Sequence, residues 1–300
     1  MAVGQIAKSA PIWRETVGAY LMLTKPRIIV LLLITTVPAM ILAEGGWPSP
    51  WLVLATLAGG ALVAAGANAM NCYFDRDIDS VMLRTQGRPI PAGRIEPEKA
   101  ATFAIILGGS GFLILEAFTN LLAAFLTLGA FAFYVVVYTL LLKRTTPLNI
   151  VIGGAAGAMP PLVGWAAVTG EVELPALVLF AIIVFWTPPH FWALALNYSS
   201  DYQRAGVPML PVVLGPEETK RHILLHTLAV VAVSLLLFTS GAAGFLYLGA
   251  ALVLGGLFIV YALRLWRETS VRASAALFRY SIVYLTLLFA AIALDGLTGA

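Results

Sequence analysis

The chain has 300 residues, of which 60% are hydrophobic and only 11% charged, against about 25% charged in soluble proteins. That composition, with a mean hydropathy of +0.93, excludes a soluble domain; the expected partner is a lipid bilayer, and no nucleic acid is expected. The formal charge of +3 says little until the charges are placed, and the single cysteine, Cys72, excludes an internal disulfide and any cysteine-cluster metal site.

Residues 1–24 lack the short apolar core and small-residue cleavage site of a secretory signal. Within them, 11–24 interleave Trp13, Val17, Tyr20 and Leu21 with Arg14 and Glu15, the pattern of a helix lying at the membrane surface. Nine apolar runs follow, near the roughly 20 residues that cross a hydrocarbon core: 28–43, 51–74, 99–116, 120–142, 147–168, 174–196, 221–239, 243–263 and 275–294. The expectation is an all-α polytopic membrane protein, one transmembrane domain over 1–300. Two connections are long and polar, 75–98 and 197–220; the rest are short.

All 18 Lys and Arg fall in the N-terminus or in the loops after even-numbered spans and their flanks, while the opposite side carries acids such as Glu44, Glu171, Glu173 and Asp295. Excess Lys and Arg marks the cytoplasmic side. The N-terminus and both long loops are therefore expected in the cytoplasm and the C-terminus outside, in a bacterial inner membrane. A weak parallel repeat relates the two long loops: Asp75, Asp77, Asp79 and Gly87-Arg88-Pro89-Ile90-Pro91 after span two, Asp201 and Gly206-Val207-Pro208-Met209-Leu210-Pro211 after span six. Two such half-bundles would bring both acidic ends around one central cavity.

In Asn68-Ala-Met-Asn71-Cys-Tyr-Phe-Asp75-Arg-Asp77-Ile-Asp79, positions 68, 71, 75 and 79 share one helical stripe. Asp77 points elsewhere. Carboxylates four residues apart repel, and a helix C-terminus disfavours negative charge. A divalent cation removes both objections, and magnesium favours one or two carboxylates plus substrate phosphates. A solvated acidic loop is the plain alternative. Asn197 and Asp201 repeat the four-residue spacing, so Asp201 could supply a carboxylate from the other half. Cations for a diphosphate are at hand in Lys25, Arg27, Arg84, Arg88, Lys143 and Arg144, each also readable as a positive-inside anchor.

Span six holds Phe185-Trp186-Thr187-Pro188-Pro189-His190-Phe191-Trp192. Adjacent prolines here, and at Pro160-Pro161 in span five, must interrupt the hydrogen-bond ladder, which a membrane tolerates only where protein or a cavity covers the freed groups. His190 lies deep within a span, whereas His222 and His226 stand at the start of the seventh; it could ligate a haem iron, move a proton or bond the freed carbonyls. His222 and His226 read as a structural pair. Trp186, Trp192, Tyr134 and Tyr138 offer ring faces to a carbocation.

Asn71-x3-Asp75-x3-Asp79 after span two, with a second acidic loop after span six, resembles the UbiA-type intramembrane prenyltransferases. Thr24-Lys-Pro-Arg27, Arg88-Pro-Ile-Pro-Ala-Gly93, Trp186-Thr-Pro-Pro-His-Phe-Trp192 and Asp201-Tyr through Pro211 extend the likeness over nearly the whole chain, toward the haem-directed branch. The resemblance implies nine helices around a central cavity and Mg²⁺-dependent transfer of farnesyl from farnesyl diphosphate to a vinyl group of haem b, water capturing the cation to give haem o. It implies that Asn71, Asp75 and Asp79 hold one metal–diphosphate cluster and Asp201 a second. Asn68, Asn197, Trp186 and Tyr138 are further expected substrate contacts and His190 a further expected catalytic residue, and assembly factors of haem–copper oxidases are expected as partners. Asn197 departs from the paired acids of quinone-directed relatives. A quinone-type prenyltransferase, a secondary transporter and a non-enzymatic haem factor are the competing readings. The carboxylates cluster at one surface rather than at the midplane, which favours a diphosphate site over a transporter.

Overall fold

The structure, a computed structural model, describes residues 12–268 and 270–298; of the expected N-terminal surface segment, 1–24, residues 1–11 lie outside them. α1 (Ile12–Thr24) exposes Trp13, Val17 and Leu21 and buries Ala19 and Leu23. It ends at Lys25, whose φ of 53° is the only positive value at a non-glycine among the described residues. A left-handed lysine costs about 1–2 kcal/mol. Two bonds from α3 (Pro50–Phe74) hold it: Asn68 Nδ2 donates to Thr24 O at 3.0 Å, and Lys25 Nζ to Asn71 Oδ1 at 2.8 Å.

The turn at Lys25 opens α2 (Pro26–Glu44), with proline at its first position, where no donor is lost. α4 (Arg76–Val81) resumes after the single residue Asp75 that ends α3. α5 (Pro97–Phe118) is followed by α6 (Leu121–Ala132), which continues as a π-helix over Phe133–Leu142 and closes in the turn α7 (Lys143–Thr145). Then come α8 (Asn149–Thr169) and α9 (Leu174–Asn197), α10 (Ser199–Arg204) and α11 (Leu210–Val213). α12 (Gly215–Thr239), α13 (Phe245–Arg267) and α14 (Val271–Thr298) complete the chain.

Among the described residues, nine helices are long and apolar enough to cross a membrane, and the chain is an all-helical, multi-pass membrane protein. The spans fall close to the expected bounds, except that the seventh begins at Gly215 rather than 221, within the second polar loop. Both acidic loops share one form: a single residue, Asp75 or Tyr198, separates the span from a six-residue helix. The paired prolines cost the ladder donors, as expected, yet they do not end either helix. α8 and α9 run on through Pro160-Pro161 and Pro188-Pro189. Proline's fixed φ is itself helical, so each pair removes two donors while the helix continues, and Pro188 and Pro189 are covered by protein.

The main core joins α8, α9, α12, α13 and α14, and a second core joins α1, α3, α5 and the segment around Ile90 and Ile95. Asp295 on α14 reaches the start of α13, accepting from the backbone N–H groups of Gly244 and Tyr247. α3 meets α5 through glycines: a Cβ on Gly66 would stand 2.6 Å from Ala104 O, whereas one on Gly60 would meet nothing within 4 Å. Small residues let membrane helices approach this closely. Gly66→Ala is expected to lower the thermal unfolding midpoint in detergent by several degrees, and Gly60→Ala to leave it unchanged or slightly raised. Equal midpoints for the two variants would show that α3 and α5 are not in backbone contact.

Candidate active site

The stripe expected at 68, 71, 75 and 79 survives the break at Asp75, because Asp75 N still donates to Asn71 O at 2.9 Å and Asp79 N to Asp75 O at 2.7 Å. Asp75 and Asp79 are buried to 0% and 1% exposure. Each carboxylate meets its own cation. Lys143 Nζ lies 2.5 Å from Asp75 Oδ2, and Arg88 Nη1 lies 2.6 Å from Asp79 Oδ2. Asn71 donates to Asp75 Oδ2 at 2.8 Å and to Thr139 Oγ1 at 3.0 Å, while accepting from Lys25. Burial pulls the Lys25 ammonium below its usual range.

The π-helix delivers the partners from the far side. Thr139 Oγ1 donates to Tyr134 O, five residues back, at 2.8 Å. Tyr134 and Tyr138 stack with ring centroids 5.4 Å apart, and Tyr138 fills the space where Gly153 has no Cβ. From the second loop, the buried Asp201 pairs with Arg204 and accepts from the backbone N–H of Arg84 at 3.3 Å. The two acidic loops therefore touch. A pocket of about 300 Å³ between them is lined by Asp77, Ile78, Arg144, Arg204 and Gly206 among others. The Arg84 guanidinium lies over the Tyr198 ring, 5.7 Å from its centroid, and burial raises the Tyr202 phenol.

Deeper in the bundle, His190 is stacked between Trp186 and Phe278, with centroids 4.3 and 4.6 Å away. Its Nδ1 lies 2.7 Å from Ser281 Oγ on α14, and Trp186 Nε1 donates to Ser281 O at 2.7 Å.

The donor set fits a hard cation. Asp75 Oδ1 is buried with no hydrogen-bond partner, a deficit worth about 1–3 kcal/mol. Among the described residues no three His, Cys, Asp or Glu could cage a metal by themselves. Magnesium needs no such cage, since it keeps waters and takes one or two carboxylates plus substrate phosphates.

The sequence profile of the UbiA prenyltransferase family matches residues 32–290. The chain is 55% identical over 291 residues to a protoheme IX farnesyltransferase of Gloeobacter violaceus, covering 97% of this chain and 95% of that protein. The chain belongs to the UbiA prenyltransferase family. A second relative, protoheme IX farnesyltransferase 1 of Saccharopolyspora erythraea, is 54% identical over 95% of this chain and 92% of its own length. The fold matches a solved digeranylgeranylglyceryl phosphate synthase with a TM-score of 0.77, at 20% identity over 95% of this chain and 99% of that one. It also matches a UbiA homolog from Archaeoglobus fulgidus bound to GPP and Mg²⁺, with a TM-score of 0.65 at 20% identity over 91% and 99% of the two chains. This chain is thus a membrane-embedded transferase of prenyl groups.

Within this UbiA-family chain, several expected site residues stand apart from the buried carboxylates. Arg144 turns outward to clamp Asp77 with two bonds of 2.7 Å and Phe74 O with a third of 2.9 Å; its hydrogen bonds hold the Asp77 carboxyl at about 2. Arg27 is exposed and has no ion pair or hydrogen bond with the described residues. Asn68 secures the Lys25 turn. Asn197 Oδ1 accepts from Ser274 Oγ on α14 at 2.5 Å. Trp192 lies edge-on to His222 and His226, away from the Trp186 stack. Four residues unmarked in the sequence take part: Thr139, Arg204, Ser274 and Ser281. Arg204 was readable as an i,i+3 partner of Asp201; isolated hydroxyls in spans carry no such signal.

Lys143→Met leaves the Asp75 charge buried and unpaired, a loss of about 3–5 kcal/mol. The metal-free variant is expected to melt well below wild type and to regain most of the difference with Mg²⁺ and a prenyl diphosphate. Arg144→Ala, which removes an exposed pair worth under about 1 kcal/mol, is expected to melt near wild type. Equal melting of both variants would sink the assignment of Lys143 as the counter-charge of Asp75.

Proposed function

We propose that the chain transfers a farnesyl group from farnesyl diphosphate to a vinyl group of haem b, releasing diphosphate and forming haem o. The reading draws its substrates from the two relatives named as protoheme IX farnesyltransferases. The observation that carries it is the meeting of Asp75, Asp79 and Asp201 with Lys25, Lys143 and Arg88 at one end of the bundle, with Asp75 Oδ1 buried and without a partner. Its orientation follows the Lys and Arg bias: N-terminus and both acidic loops (75–98, 197–220) in the cytoplasm, C-terminus outside, in a bacterial inner membrane.

Asp75, Asp79, Asn71 and Asp201 are the residues to hold magnesium; when bound, the ion supplies Lewis-acid charge to the diphosphate. Lys143, Arg88 and Lys25 donate hydrogen bonds to the diphosphate oxygens as the allylic C–O bond breaks and its electron pair leaves with the phosphate. Arg88 offers a planar fork and the lysines point charges. The stacked faces of Tyr134 and Tyr138 border the position of the allylic cation. The haem vinyl carbon attacks that cation. Water then adds to the resulting haem-borne cation and loses a proton, which leaves the hydroxyl of haem o. The apolar bundle keeps bulk water from the first cation.

Chromatography and mass analysis of haem from membranes expressing the chain, supplied with haem b and farnesyl diphosphate, test the reaction. Wild type is expected to form haem o. Asp75→Ala is expected to slow its formation by at least about a hundredfold. Folded wild type that makes no haem o would overturn the farnesyl–haem reading, and undiminished product from Asp75→Ala would overturn the carboxylate's role.

A further inference from the structure

The proposed reaction does not by itself say what holds the acceptor, but the α9–α14 seam carries that information. His190 sits on α9 about 10 Å, or two turns, inside Asn197, in the apolar part of the span. Its ring is stacked by Trp186 and by Phe278, and Phe191 meets it T-shaped at 5.3 Å, so only part of its edge is uncovered.

Ser281 decides which nitrogen carries the proton. The serine hydroxyl has one hydrogen, and it is given to Phe278 O at 2.7 Å. Ser281 Oγ therefore accepts the Nδ1–H of His190 at 2.7 Å, and Nε2 keeps a bare lone pair. Among the described residues, four sealed side-chain atoms lack a partner: Asp75 Oδ1, Asn149 Oδ1, Trp192 Nε1 and Tyr284 OH. His190 Nε2 is not one of them and has no hydrogen-bond partner, so it borders open space. The same Ser281, through its carbonyl, also anchors the Trp186 indole.

An imidazole fixed at Nδ1 and open at Nε2 is built as a metal ligand, its orientation set by the group behind it. A free metal ion needs three or four protein ligands, and none of the described His, Cys, Asp and Glu residues form such a group. An iron porphyrin brings four ligands of its own and asks the protein for one. A proton shuttle fits less well, because the neighbours of His190 are a hydroxyl, an indole and two phenyl rings, with no titratable group to pass a proton on. Resting on the proposed reaction, we infer that His190 Nε2 is the axial ligand of the acceptor haem's iron and that Ser281 is the positioning residue that holds it in that tautomer.

Purified chain in nanodiscs, titrated with ferric haem b and then reduced, gives optical, electron-paramagnetic and resonance Raman signatures of the axial ligand. Wild type is expected to show an iron–imidazole signature. His190→Ala is expected to lose it and regain it with added imidazole. Ser281→Ala is expected to weaken the iron–imidazole stretch and lower haem affinity about 10–100-fold. His222→Ala and His226→Ala are expected to match wild type. Binding of farnesyl diphosphate, retained by every variant, reports an intact fold. An unchanged iron–imidazole signature in His190→Ala, or its loss in the His222 or His226 variant, overturns the inference while haem o production still stands. A wild type that makes no haem o fails the reaction itself, and one that makes it with no imidazole on the iron fails only the ligand.

Discussion

Three carboxylates sealed at one end of a membrane bundle set the terms for everything around them. Removing an ionised carboxylate from water costs several kcal/mol even after relaxation, and it is tolerated only where a countercharge arrives with good geometry. Here the countercharges come from three separate places. Lys143 crosses from the end of the π-helix to Asp75, Arg88 folds back from the first loop to Asp79, and Arg204 rides one turn beyond Asp201. The conformation of both loops follows from these pairings. Electrostatic demand does here the work that apolar packing does in the spans.

The same demand explains where the backbone departs from regularity. Lys25 takes a left-handed conformation, α3 breaks at Asp75, and the fourth span widens into a π-helix, all within reach of Asn71. Strained or irregular backbone gathers at functional sites when surrounding contacts hold it in place. Asn71 is the hub of that restraint, with Lys25, Asp75 and Thr139 all bonded to its amide. A residue that donates twice and accepts once in this way fixes three elements relative to one another, so the Asp75 carboxylate is presented in a single orientation. Its Oδ2 is spent on Lys143 and Asn71, and Oδ1 is buried without a partner.

Much of this was legible in the sequence because it rests on period and composition. Nine apolar runs, the stripe at 71, 75 and 79, and the gathering of Lys and Arg on one side need only helix geometry and the cost of charge in lipid. What escaped depends on tertiary partners. Arg144 neighbours Lys143, yet it turns to Asp77, because consecutive helical residues face different ways. Nothing in Phe133–Leu142 announces a π-helix; the Thr139 hydroxyl bonded five residues back accompanies it and is seen only in the structure. The paired prolines were legible as lost donors in the ladder, but not that both helices would continue through them, which proline's helical φ permits. Asn197 read as a weakened acidic motif, and only α14 reveals its task.

That task bears on why the two halves of the repeat are unequal. Asn197 meets Ser274 and His190 meets Ser281. Both pairs are seven residues apart on their own helix, and α9 and α14 run in opposite directions, so the two contacts are rungs of one antiparallel seam two turns apart. A carboxylate at 197 would repeat the acidic pair of the first half, but it would trade a neutral rung for a half-buried charge near the Asp201 carboxylate. With asparagine, the seam stays neutral from the membrane surface down to the histidine. The first half of the repeat concentrates charge on one helix end. The second half keeps a single carboxylate and gives the rest of its polar residues to holding α9 against α14, which is what fixes the Trp186–His190–Phe278 stack in place.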